Sequence, residues 1–301
     1  MAGLHMPPPP VMPMTTLLTI LLYIYAAGMV LNGTILFAAG FDSKRLLKTS
    51  MDKLTVGLVF MCFTWSAGRA LIHSLQGLGH MSLTNPGAAA FSNICIVTIF
   101  CLNVHLAMER YFQIREHKYA NLLYTALYMS VNACVGAVVW MFSTSPTSDG
   151  IKPDLEPQRT GWVVVASFVY GMTIFLMGWF YTRTYRYSSR QFDENPALAT
   201  FFMSERDGTN DDPEILGLVR VRVEREILTK CLLLSLSLVI CYAPFFSYQI
   251  QSYTVGLIPT FDLTMLYYDI AVILLSADVV ITPLLVFFFK KEVREAIMFW
   301  K

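Results

Sequence analysis

Charge is what this sequence has least of. Only 14% of its 301 residues are Asp, Glu, Lys or Arg, against about 25% in an ordinary soluble domain. That is too little to coat a water-soluble body, so the roughly two globular domains suggested by length alone are excluded. The same shortage of polar residues excludes disorder and collagen-like repeats. Neither sign of charge dominates: the net charge is +1. A nucleic-acid partner, which needs a basic face on a soluble body, is therefore not expected. Cysteine is sparse as well. Cys62, Cys95, Cys101, Cys134, Cys231 and Cys241 form no CxxC pair or metal-ligand spacing, which excludes a small disulfide scaffold and a zinc site read from spacing. The five histidines include no HExxH and no paired-His helix face. The internal repeats that many transporters carry are missing. No cofactor and no metal are expected.

Apolar residues are what the sequence has in excess. They make up 55% of the chain, and the mean hydropathy is +0.52. They gather into seven runs, at about 17–41, 54–75, 88–110, 122–142, 161–181, 228–250 and 263–289. Each is long enough to cross a hydrocarbon core about 30 Å thick, which takes about 20 helical residues. Backbone polar groups in lipid must be paired within their own segment, so each run is expected to be a helix. Transmembrane strands are about ten residues long and alternate in polarity, unlike these runs. The fold class expected is an all-α membrane protein. Residues 1–301 form a single seven-helix transmembrane domain, with a loop at about 183–225 and a short amphipathic C-terminal surface helix at about 290–301.

The basic residues set the orientation. With the amino terminus outside, nineteen of the 22 Lys and Arg fall on the cytoplasmic side. Lys152 and Arg159 lie outside, and Arg69 lies within the second run. This asymmetry obeys the positive-inside rule and predicts a cytoplasmic carboxyl terminus. The first thirteen residues hold five prolines and no Lys or Arg, unlike the basic start of a cleavable signal peptide. The first run is expected to be its own signal anchor, in the plasma membrane. All six cysteines fall within the runs, so no external disulfide is expected and the thiols read as small packing groups.

Ionisable side chains inside spans are costly and are functional candidates by default. Here they are Arg69, Glu109, Arg110, Asp269 and Asp278, with Asn32, Asn93, Asn103 and His105 adding uncharged polarity. Glu109-Arg110-Tyr111 closes the third run. Cys241-Tyr242-Ala243-Pro244 lies in the sixth, and Thr282-Pro283 in the seventh. A proline inside a helix removes one backbone hydrogen bond and bends the rod.

Taken together, in this order, these features resemble the rhodopsin-like family of G-protein-coupled receptors. Glu109-Arg110-Tyr111 is similar to that family's (Asp/Glu)-Arg-Tyr, and Cys241 to Pro244 to its Cys-Trp-x-Pro, with Tyr242 in place of Trp. Thr282 and Pro283 stand where the family has Asn-Pro-x-x-Tyr, and Val286 replaces the last Tyr. Asn32 matches the first-helix asparagine. The resemblance implies an acid at the inner end of the sixth helix, here Glu224. It lies twenty residues before Pro244, or about 30 Å along a helix, at the depth of Arg110. The implied mechanism is an Arg110–Glu224 pair that holds the resting state. An outer ligand then favours a swing of the sixth helix about Pro244. A heterotrimeric G protein inserts a helix into the opened inner crevice. Such a receptor has no chemistry of its own and is not an enzyme.

Several positions depart from that family. The second run has no acid after Asp52, and Asp278 lies five residues before Pro283 instead. Asp278, Asn32 and Asn103 are expected to form a relocated polar centre that takes an ion or a proton. Asn85 replaces the family's disulfide cysteine. The seventh run has no Lys before Lys290, which excludes a retinal Schiff base. The outer halves of the helices are the expected pocket for a small-molecule or short-peptide ligand. Its candidate residues are Arg69, His73, Gln76, Tyr248, Gln249, Tyr267, Tyr268 and Asp269. Arg69 and His73 are four apart, on one helix face. Arg69 can meet an anionic ligand, pair with Asp269, or snorkel to the interface. In the tail, Val293, Ala296, Ile297 and Trp300 share one face, which predicts a helix lying on membrane lipid. Any phospho-regulation is expected in the long loop. One rival is a seven-helix transporter or channel that uses Glu109 and Asp278 as a proton or ion path. Another is an intramembrane lipid hydrolase, disfavoured because His73 and His105 lie near opposite faces.

Overall fold

A computed structural model describes residues 14–47, 50–80, 86–116, 156–194, 233, 236–248, 250 and 261–298. The fourth run at about 122–142, Glu224, Gln249, most of the long loop and Trp300 lie outside the described residues. Every regular element among the described residues is a helix. In chain order they are α1 (Met14–Phe41), α2 (Ser43–Leu46), α3 (Ser50–Gly77), α4 (Pro86–Glu116), α5 (Glu156–Glu194), α6 (Leu236–Tyr248), α7 (Phe261–Phe289) and α8 (Lys291–Met298).

Four of these helices are long and apolar enough to cross a membrane. They cover Thr16–Phe41, Ser50–Gly77, Phe91–Phe112 and Leu266–Phe289. Their outward faces are as apolar as their inward ones: Val30, Phe37, Phe60, Leu71, Ile270 and Phe288 are exposed. A helix that is hydrophobic all round is at home in lipid, not at a water interface. These helices mark the chain as an integral membrane protein. The run expected at 161–181 lies within the 39-residue α5, and the described part of the sixth run is the shorter apolar helix α6.

Packing follows a clear order. α3 lies between α1 and α4, α7 leans on α1 and α3, and α5 covers α4. α6 joins the same core through Leu238, Cys241, Tyr242 and Phe246, which pack with Ile99, Phe100, Val272 and Leu275. The close approach of α1 to α7 depends on Gly28. A Cβ there would sit 2.6 Å from Val279 Cγ2 and 2.8 Å from Ser66 Oγ. α3 ends in a Schellman turn. Gly79 takes φ +73°, and the His80 and Gly79 amides donate to the Leu75 and Gln76 carbonyls.

A second, smaller core closes one end of the bundle. Val293 of α8 is buried with Ile35, Ala38, Ala39, Leu46, Val59 and Val286, and Ala296 and Ile297 pack against them. The apolar face of α8 thus rests on the ends of α1, α3 and α7. The expected surface helix is present, and its apolar side is committed largely to the bundle itself. Lys290, at the α7–α8 junction, forms an ion pair with Asp52 at the start of α3, Nζ to Oδ1 2.5 Å.

Candidate functional site

Proline at 283 sets the chemistry of the bundle centre. It lies inside α7 and has no N–H to donate to the carbonyl of Val279, four residues earlier. In a dry interior an unpaired carbonyl is costly, so another donor has to reach it. Asn32 of α1 does so: its Nδ2 donates to Val279 O at 2.8 Å and to Gly28 O at 2.8 Å. The absence of a side chain at Gly28 lets the two helices come close enough for this. Asn32 is fully buried, and its Oδ1 has no hydrogen-bond partner among the described residues.

Next to Val279 on α7, Asp278 is 1% exposed. Tyr242 of α6 donates its hydroxyl to Asp278 Oδ2 at 2.8 Å, and Thr282 donates to Oδ1 at 3.0 Å. Asp278 makes no ion pair among the described residues. The Tyr242 ring packs edge-on against Phe100 of α4, centroids 4.7 Å apart, and Phe100 lies 6.2 Å from Phe246. Phe246 in turn stacks on Tyr170 of α5 at 4.6 Å. Tyr242 thus touches α4 through its ring and α7 through its hydroxyl. Pro244 lies half-buried two residues further on and Pro283 is buried.

No hydrogen bond joins the three residues of the expected polar centre to each other. Asn103 donates back to Ile99 O of its own helix at 2.9 Å. Asn32 reaches the backbone beside Asp278, not its carboxyl. The direct partners of Asp278 are Tyr242 and Thr282.

At the α8 end, Glu109 is fully buried on α4 and Arg110 is half-buried. Tyr111 is buried beside Trp179 and Phe180 of α5, at 6.4 and 5.8 Å. The partner expected for Arg110, Glu224, lies outside the described residues.

At the opposite end, Trp65, Arg69, His73 and Gln76 follow one another along one face of α3. Tyr25 of α1 lies against three of them. Its ring stacks on His73 at 5.6 Å, meets Trp65 edge-on at 6.3 Å, and has the Arg69 guanidinium 6.0 Å from its centre. The Tyr25 hydroxyl bonds Ser276 of α7 at 2.7 Å. Arg69 Nη1 donates to Ser92 of α4 at 3.3 Å. Among the described residues it makes no ion pair, with Asp269 or any other acid. His73 Nδ1 bonds Gln76 Oε1 at 3.0 Å, and its buried Nε2 has no partner among the described residues. Asp269 is buried on α7. Tyr267 bonds Ser247 of α6, and Tyr248 packs against Tyr267 and Tyr268 at 5.9 and 5.1 Å. Among the described pocket residues, Arg69, His73 and Gln76 of α3 gather around or beside Tyr25 of α1, while Tyr248, Tyr267 and Tyr268 join α6 to α7.

Tyr25, Ser276 and Lys290 are functional candidates that the sequence reading missed. Tyr25 looks like any interfacial aromatic, and Ser276 like any small polar residue in a span. Their pairing joins residues 251 apart in the chain, which no local pattern encodes. No family model matches the chain, and no curated protein does.

Proposed function

We propose that the chain is a seven-span receptor that couples ligand binding in its outer half to a cytoplasmic heterotrimeric G protein. In this reading it lies in the plasma membrane with its amino terminus outside and α8 at the cytoplasmic face. The observation that carries the reading is the Tyr242–Asp278 bond. It ties α6 and α7, which carry Pro244 and Pro283 in their interiors, together at the bundle centre, while the Tyr242 ring bears on the helix that carries Arg110. A ligand that moves α7 or α6 changes this tie, and the bend at Pro244 carries the change towards the inner end of α6. The distribution of Lys and Arg supports the orientation, and Glu109-Arg110-Tyr111 at the end of α4 supports the coupling surface.

The two burial sites of Glu109 and Asp278 favour one other reading, a transporter or channel for protons or ions along those carboxyls. Complex formation separates the two. The full chain in lipid nanodiscs is expected to bind a nucleotide-free heterotrimer from a G-protein panel and to release it on addition of a GTP analogue. If no member of the panel binds, the receptor reading is rejected.

A further inference from the structure

The end of the bundle opposite α8 holds a half-buried basic group, Arg69, and a buried acidic residue, Asp269, and neither has an ion-pair partner among the described residues. Arg69 is the only Lys or Arg in the apolar stretches 14–41, 54–109, 161–182, 236–248 and 261–289. A guanidinium carries five N–H donors, and among the described residues Arg69 meets the Ser92 hydroxyl and the face of Tyr25. Asp269 is 7% exposed as a residue, no hydrogen bond joins its side chain to another described residue, and its carboxyl oxygens are not among the fully buried atoms left without a partner. Charges partly withdrawn from water are ordinarily paired, and these two are not paired with each other.

Tyr25 relates the two helices that carry them. Its ring lies beside Arg69, and its hydroxyl bonds Ser276, so α3 at Arg69 and α7 at Ser276 flank one ring. Asp269 lies seven residues before Ser276. That is about two turns, or about 10 Å, towards the end of the bundle away from α8, and within about 20° of the same face. His73 lies one turn from Arg69 in the same direction, with its buried Nε2 unpartnered among the described residues. One positive group and one negative group, with a polar ring atom beside them, complement a neutral ligand that carries both charges.

We propose that this end of the bundle binds a small zwitterion of the α-amino-acid type, with its carboxylate on Arg69 and its ammonium on Asp269. A single guanidinium fork matches one carboxylate, and the nearby Asp269 disfavours a purely anionic ligand. The inference deepens the receptor reading by naming the ligand class for its outer site. Its test reads binding alone, so it fails or holds independently of G-protein coupling.

The test is thermal unfolding of the full chain in detergent with millimolar glycine, L-leucine, L-phenylalanine or L-glutamate. Each is compared with its N-acetyl and methyl-ester forms. At least one free amino acid is expected to raise the unfolding midpoint, and its two derivatives to fail. Arg69→Gln should make free acid and ester equivalent, and Asp269→Asn should make free amine and N-acetyl form equivalent. Each variant should weaken the parent by about tenfold or more. No shift with any of the four, or derivatives as effective as the parent, overturns the proposal. The derivatives decide the matter on the unaltered chain even if a variant does not fold.

Discussion

The hydroxyl of Tyr242 donates to Oδ2 of Asp278 at 2.8 Å, in a place where both side chains are almost wholly removed from solvent. Buried polar groups stabilise a structure when paired and cost it when one partner is lost. Tyr242→Phe keeps the ring against Phe100 and removes only the donor. It is expected to lower the stability of the purified chain by about 1–3 kcal/mol, read as a fall in the unfolding midpoint. A midpoint equal to that of the unaltered chain would show that the bond contributes nothing.

Asn32 and Pro283 form a compensating pair. Proline takes away the amide hydrogen that Val279 O would otherwise receive, and Asn32 supplies one from another helix. Asn32→Ala should therefore cost about 1–3 kcal/mol. Pro283→Ala restores an intrahelical donor, so Asn32→Ala should cost less in that background. A double-mutant cycle measures this coupling. Strictly additive effects would refute the compensation.

Much of this arrangement was legible in the sequence, and the reason is physical. Lipid forces every spanning segment to pair its own backbone, so apolar runs translate directly into α1, α3, α4 and α7. Asn32, Asp278 and the prolines stood out because polar groups and helix breakers are costly there. The partners were less legible. Asp278 was expected with Asn32 and Asn103, but it bonds Tyr242 and Thr282, because the rotation of each helix about its axis decides which faces meet. Apolar runs without a polar stripe do not encode that rotation. Tyr25 was invisible for the same reason. The apolar side of α8 was readable as a face, yet the sequence did not show that Val293 would be buried against Ile35 and Val59.

The Lys290–Asp52 pair is about a quarter exposed on each side. Screening by water limits such pairs to about 0–1 kcal/mol. The double-mutant cycle of Lys290→Gln and Asp52→Asn should give a coupling within that range, smaller in molar salt. A coupling of several kcal/mol, unaffected by salt, would contradict this placement at a wet end of the bundle.

The receptor reading makes Glu224 a restraint on Arg110. Glu224→Ala is expected to raise ligand-free signalling severalfold at matched surface expression, because removing one partner of a resting-state pair shifts the population towards the open arrangement. Unchanged basal activity would remove the pair from the mechanism.

Coupling itself is tested most directly by two readouts on the same vesicles. The full chain is reconstituted in lipid, nucleotide exchange is followed on a panel of purified heterotrimeric G proteins, and internal pH is recorded in parallel. The account predicts faster exchange on at least one heterotrimer, lost in Arg110→Ala, with no proton movement. Proton flux without faster exchange on any heterotrimer would contradict it.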